Sequence, residues 1–228
     1  MSDRLIWDLP VRVIHWTLFV AILGSWYTQE AEGDLFRYHL WCGYTVLVLV
    51  LVRIAWGFVG TRHARFASFL RGPRAAVVYA RELLSGRASG YPGHNPLGAW
   101  MVVLLLTLLL TQACTGLFAN DQIMNTGPLF GFVSVALSDR LTSIHKTNFD
   151  WILVAGGVHI AAAFGYLLVK RENLITPMIT GRKAEYAASA ADAVSASRSW
   201  LAVLILLAVA TGLAWIVRRA PEATLSIF

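Results

Sequence analysis

Five apolar stretches, each near the length of a bilayer crossing, run through this 228-residue chain. They cover residues 11–27, 38–58, 97–118, 143–169 and 200–217. A helix needs about 20 mainly apolar residues to cross the hydrocarbon core. Lipid offers the backbone no hydrogen-bond partners, so the crossing segments must satisfy their own. The chain therefore reads as an all-α integral membrane protein. A content of 57% hydrophobic against 14% charged residues fits that class. The first stretch is not read as a cleavable signal peptide. Its apolar run is long, it carries His15, and it lacks a small-x-small cleavage site.

A net charge of +6 would suggest nucleic-acid binding in a soluble protein. Here the basic residues sit in loops, where they set topology instead. Arg4 and Arg12 precede or open the first stretch. The next loop carries Glu30, Glu32 and Asp34 against Arg37. Residues 57–96 carry Arg62, Arg65, Arg71, Arg74, Arg81 and Arg87 against Glu82. The third loop has Asp121, Asp139 and Arg140; the fourth has Lys170, Arg171, Arg182, Lys183 and Arg198. This alternation predicts a multi-pass membrane protein with a cytoplasmic N-terminus. Arg218 and Arg219, after the fifth stretch, run against the pattern.

Three segments follow from composition. Residues 1–183 form a four-helix core, residues 184–199 an Ala/Ser-rich cytoplasmic linker, and residues 200–228 a fifth transmembrane helix with a tail. Within the long basic loop, Pro73 opens and Gly86 closes an amphipathic surface helix with Ala76, Val77, Ala80, Leu83 and Leu84 on its apolar side. Cys42 and Cys114 read as buried thiols, and no Cys-x-x-Cys-His motif for covalent haem is present.

Four histidines lie inside these apolar stretches: His15, His39, His145 and His159. An ionisable group within a span is costly and usually has a function. His145 and His159 are 14 residues apart. At 100° and 1.5 Å per residue they share nearly one helix face, roughly 21 Å apart. Alternating span directions match His15 in depth with His159, and His39 with His145. Neutral imidazole is a good axial ligand for iron. Two matched pairs thus predict two haem b groups bound between helices of a bundle. A single intramembrane histidine would carry no such weight, since it serves as well in helix packing, proton relay or metal binding. The third stretch, without histidine, is expected to be a wall. Gly24, Gly43, Gly116 and Gly156 would permit close approach of a porphyrin or, equally, of a neighbouring helix. Arg53, 14 residues after His39, reads either as the partner of a haem propionate or as an interfacial snorkelling side chain. His63 and His94, in the basic loop, read as exposed or loop-stabilising. Arg37, Arg140 and Lys146, near the outer pair, read as interface anchors or as an attractor for anions or an acidic partner.

The opening Trp7-Asp8-x-Pro10-x-Arg12-x-x-His15-Trp16 resembles that of the bacterial di-haem cytochromes of the b561 and nickel–iron hydrogenase cytochrome b group. So do Gly93-His94-Asn95-Pro96, Ser143-Ile144-His145 with His159, Lys170-Arg171-x-Asn173-Leu174, and Pro177-Met178-x-Thr180-Gly181-Arg182-Lys183. The resemblance covers residues 5–183. It implies a four-helix core with the four histidines as axial ligands. It also implies electron transfer across the inner membrane between the quinone pool, with quinone as substrate, and a redox partner such as a periplasmic c-type cytochrome. A superoxide:quinone oxidoreductase and a hydrogenase cytochrome b subunit are alternatives within the group. A membrane anchor or transporter without haem is the alternative outside it. Lys146 follows His145 where a second histidine is expected of the hydrogenase subunit, which favours the general b561-like branch. The fifth stretch departs from the smallest members. It offers Ala208, Ala210 and Gly212 for packing against the core, a partner or an oligomer.

Overall fold

The computed structural model describes residues 3–29, 35–123, 125–184 and 190–221. The acidic residues Glu30, Glu32 and Asp34, part of the 184–199 linker and the tail beyond Pro221 lie outside the described residues. The helices are α1 Leu9–Thr28, α2 Phe36–Val59, α3 Phe66–Phe69, α4 Pro73–Leu84, α5 Pro96–Gly116, α6 Val135–Leu168, α7 Ile175–Thr180 and α8 Ser199–Arg218. Of these, α1, α2, α5, α6 and α8 are long and apolar enough to cross a membrane. The protein is an all-α, multi-pass membrane protein. Among the described residues, one small sheet pairs β1 (Arg4–Leu5) antiparallel with β2 (Arg182–Lys183).

The local chemistry explains the element boundaries. Asp8 caps α1: its carboxylate accepts the Val11 N–H at 2.8 Å, three residues on. Pro73 starts α4, and Gly86 follows its end at φ +72°. Gly181 closes α7 in the left-handed region, at φ +84°. Its carbonyl accepts the N–H groups of Ile6 and Trp7, at 2.8 and 3.0 Å. A Cβ there would lie 2.7 Å from the Trp7 carbonyl oxygen, so glycine is required twice over. α6 begins about two turns before its apolar stretch. Its first turns are held by Asn120, whose amide donates to Ser138 and, at 3.0 Å, to Asp139.

The chain divides into two compact units. The first comprises Met1–His15, Arg53–Leu106 and Ala155–Val203. Its core holds Ile6, Trp7, Trp56, Ala64, Phe69, Tyr79 and Ala99. The second comprises Trp16–Val52, Thr107–Val154 and Leu204–Phe228, with Val46, Leu47, Val50, Leu109, Phe130 and Ile152 in its core. Trp26, Trp41, Trp151, Phe164 and Trp200 are exposed. Large apolar side chains on the outside of long helices suit a lipid solvent.

α4 has the expected amphipathic character with a shifted face. Ala76 and Tyr79 are buried, while Val77 and Leu84 are exposed. The described part of the 184–199 segment is anchored. Val194 N–H donates to the Leu5 carbonyl at 2.8 Å, and Leu9 N–H to the Ser197 hydroxyl at 3.2 Å. α8 therefore starts beside the N-terminal segment. It ends beside the α5–α6 loop, where a Cβ at Gly131 would be 2.6 Å from the Pro221 oxygen. Ala202 is its buried residue; Ala210 is half-buried, and Ala208 and Gly212 are exposed.

Candidate haem-binding sites

The first unit brings His15 of α1 and His159 of α6 together, with ring centroids 6.2 Å apart. The second does the same for His39 of α2 and His145 of α6, at 6.3 Å. All four rings are half-buried. Two metal–imidazole bonds of about 2 Å, plus roughly 1.1 Å from each ligating nitrogen to its ring centre, put two trans imidazole centroids on the order of 6 Å apart. Both pairs have the spacing of a bis-histidine metal site, and neutral imidazole is the donor that haem iron takes.

The second unit also fixes ring tautomers. His39 Nδ1 lies 3.0 Å from the Ser25 carbonyl oxygen, and His145 Nδ1 lies 2.9 Å from that of Gln112. A carbonyl only accepts, so each Nδ1 carries the proton and each Nε2 keeps its lone pair for a metal. The hydroxyls of Ser25 and Thr115 stand 3.2 and 3.3 Å from the same Nδ1 atoms. The Gln112 amide nitrogen is 3.1 Å from His145 Nε2, and its oxygen accepts from Asn148 at 2.7 Å. A metal held by His145 would take the lone pair that this amide engages, and Gln112 would then turn aside. α5 is thus more than a wall, since it holds His145 through Gln112 and Thr115. A glutamine inside an apolar stretch was the available signal, and reading only for histidine overlooked it.

The glycines divide by role. A Cβ on Gly116 would come within 2.7 Å of His145 Cε1, so this glycine admits the histidine ring. Gly24 backs Cys42, with a Cβ-to-Sγ distance of 3.0 Å. A Cβ on Gly43 or Gly156 would meet no atom within 4 Å.

Arg53 is 6% exposed and so does not snorkel. One of its nitrogens donates to the Ala64 carbonyl at 3.2 Å, and its guanidinium lies 5.6 Å from the Phe66 ring centre. The nearby carboxylate is Asp8, which is fully enclosed. Its oxygens accept from Val11 N–H at 2.8 Å, Trp56 Nε1 at 2.9 Å and the Thr61 hydroxyl. His63 is buried and hydrogen-bonds the Asp192 carbonyl at 2.7 Å, the loop-stabilising role expected of it. His94 is the surprise among the loop histidines. It packs between Trp7 and Phe69, at centroid distances of 4.7 and 4.4 Å. Burial first, then the Arg53 charge, push it down to about 3, so it is a neutral imidazole. Arg37 lies over the rings of Tyr38 and Trp41, as an interfacial anchor does.

Long apolar helices presenting two histidine pairs at iron-ligand spacing define a membrane cytochrome of the b type. The family model for prokaryotic cytochrome b561 matches residues 6–181, and the chain belongs to that family. It is similar to a probable Ni/Fe-hydrogenase B-type cytochrome subunit of Rhodobacter capsulatus, at 29% identity over 78% of this chain and 80% of the relative. The counterpart from Rhizobium leguminosarum bv. viciae is also 29% identical, over 78% of this chain and 87% of its own length. No solved structure matches. The protein is a haem-containing electron-transfer component of a prokaryotic membrane.

Proposed function

We propose that the chain binds two haem b groups, one between His15 and His159 and one between His39 and His145. It carries electrons across the inner membrane between quinone and a redox partner. The observation that carries this reading is the pair of imidazole–imidazole separations, 6.2 and 6.3 Å, each within its own compact unit. Bound haem iron supplies a one-electron couple. The chain's own residues do the rest: imidazoles ligate, the Ser25 and Gln112 carbonyls orient two of them, and apolar helices exclude water. Arg53 is the proposed propionate partner of the His15–His159 haem, supported by its burial. With a cytoplasmic N-terminus, that haem lies on the inner side and the other on the periplasmic side. Residues 1–183 then serve as the electron-transfer core, and α8 packs beside it or against a partner or second copy.

The redox partner is a periplasmic c-type cytochrome or another redox subunit. A hydrogenase is a specific second reading, favoured by the likeness to two probable Ni/Fe-hydrogenase cytochrome subunits. Purified protein should be tested by haem absorption during anaerobic addition of a short-chain quinol, of superoxide, and of hydrogen with a nickel–iron hydrogenase. Reduction by quinol supports the quinone reading. Reduction through hydrogenase alone, with no response to quinol or oxidised quinone, would contradict it. A protein purified without haem from haem-replete cells would overturn the whole proposal.

A further inference from the structure

The surface of α4 divides into three lines rather than two faces. At about 100° per residue, Ala76, Tyr79, Ala80 and Leu83 fall on one side, and these are its buried or half-buried residues. Val77 and Leu84 share a second line and are 50% and 89% exposed. Arg74 and Arg81 form a third, roughly 60° further round, and both are exposed. An apolar line left open by the fold and flanked by guanidiniums suits a helix lying in a bilayer interface. Three bonds fix its level. Trp100 Nε1, near the start of α5, donates to the Arg71 carbonyl at 3.1 Å. Tyr79 shares a 2.8 Å hydrogen bond with Tyr166, close to the end of α6. Lys170, just past that end, donates to the Ala88 carbonyl at 3.3 Å. The helix is thus tied before, within and after its length to the ends of two membrane-crossing helices. Beyond it the chain doubles back at Gly86, φ +72°, and the N–H groups of Arg87 and Ala88 donate to the Glu82 carbonyl at 2.8 and 3.1 Å. Arg81 and Arg87 thereby line one recess of about 630 Å³ with Glu82, Ser85 and Ser89. Among the described residues, the ion pairs involve neither arginine. Two cations against one carboxylate leave the recess positive.

We propose that this recess binds the headgroup of an anionic phospholipid, with Arg81 and Arg87 on its phosphate and the open line of Val77 and Leu84 against its acyl chains. Guanidinium matches phosphate with paired N–H donors. The positive excess favours a headgroup of net negative charge over a zwitterionic one. Free inorganic phosphate could make the first contact but not the second. The lipid site is separate from the histidine pairs and does not depend on which haems they hold.

The test is native mass spectrometry of the detergent-purified holoprotein, titrated with phosphatidylglycerol or with phosphatidylcholine of the same acyl chains. Wild type should bind its first phosphatidylglycerol roughly tenfold or more tightly than phosphatidylcholine. Arg81→Gln and Arg87→Gln should each weaken phosphatidylglycerol by about fivefold and leave phosphatidylcholine within about twofold. Leu84→Ser should weaken both lipids alike. A double variant in the tail of α8, Arg218→Gln with Arg219→Gln, removes as much charge and should leave the preference unchanged. Millimolar inorganic phosphate should not displace the lipid. In nanodiscs of both lipids, with Cys42 and Cys114 changed to serine, a spin label at Leu84→Cys should be relaxed more by oxygen than by an aqueous nickel complex. A label at Ser85→Cys should show the reverse. If one arginine variant cannot be purified, the other and the two labels decide the matter. Equal affinity of wild type for the two lipids would overturn the proposal. So would an equal loss of preference in the α8 double variant, displacement by inorganic phosphate, or a label at Leu84→Cys that reports water.

Discussion

Replacing Asp8 by alanine should be among the most damaging single changes outside the histidines. The carboxylate is 1% exposed. It caps α1 through Val11, and it accepts from Trp56 Nε1 at 2.9 Å and from the Thr61 hydroxyl. Losing an N-cap costs about 1 kcal/mol. Each buried donor left without a partner costs roughly 1–3 kcal/mol more. Arg53 also loses its nearby countercharge, although that term is not needed for the outcome. The sum is on the order of 5 kcal/mol, in the range that only a named buried network reaches. For a chain of this size each kcal/mol moves the midpoint by about 2–4 °C. Thermal unfolding of the detergent-solubilised holoprotein should thus drop by roughly 10–20 °C in Asp8→Ala. Asp8→Asn keeps the shape but turns one acceptor into a donor facing other donors, and should cost on the order of 2 kcal/mol. A midpoint for Asp8→Ala within about 2 °C of wild type would refute the reasoning.

Gly116→Val drives a side chain into the His145 ring, so its absorption and redox spectra should lose the component that His145→Ala loses and retain the other. Gln112→Leu removes the acceptor of the Asn148 amide while keeping the backbone carbonyl on Nδ1; haem content should hold, and electron paramagnetic resonance should show only that pair's low-spin signal shifted. Tyr79→Phe deletes the 2.8 Å bond to Tyr166, whose hydroxyl still accepts from Asn95; the expected loss is about 1 kcal/mol by thermal unfolding, with both haem signals unchanged. A cysteine in place of Arg219, with Cys42 and Cys114 changed to serine, should react with an impermeant thiol reagent from the periplasmic side of intact cells; labelling only after lysis would contradict a crossing α8.

What the sequence made legible was whatever periodicity and cost impose. Five apolar runs became five long helices, because lipid leaves the backbone few alternatives. The histidine pairs were readable because 14 residues nearly close a helical turn count, and antiparallel spans match depths. Gln112, Thr115 and Ser25 were not read, because their role depends on which helix faces which ring. Asp8 was visible within a motif, but its bonds to Trp56 and Thr61 bridge distant parts of the chain. His94 was expected to be exposed or loop-stabilising; its loop position says nothing of the aromatic walls contributed by Trp7 and Phe69. The Ala/Ser-rich composition read as a linker; hydrogen bonds with Leu5, Leu9, Arg62 and His63 anchor its described part, and composition does not record such bonds.

The most direct test of the central claim is haem stoichiometry by pyridine haemochrome on the purified chain and on four single histidine-to-alanine variants, with redox titration of each. Two b-type haems per wild-type chain are expected, and about one per variant. His15→Ala and His159→Ala should lose one component, and His39→Ala and His145→Ala the other. One haem per wild-type chain, or loss of the same component in His15→Ala and His145→Ala, would contradict the paired sites.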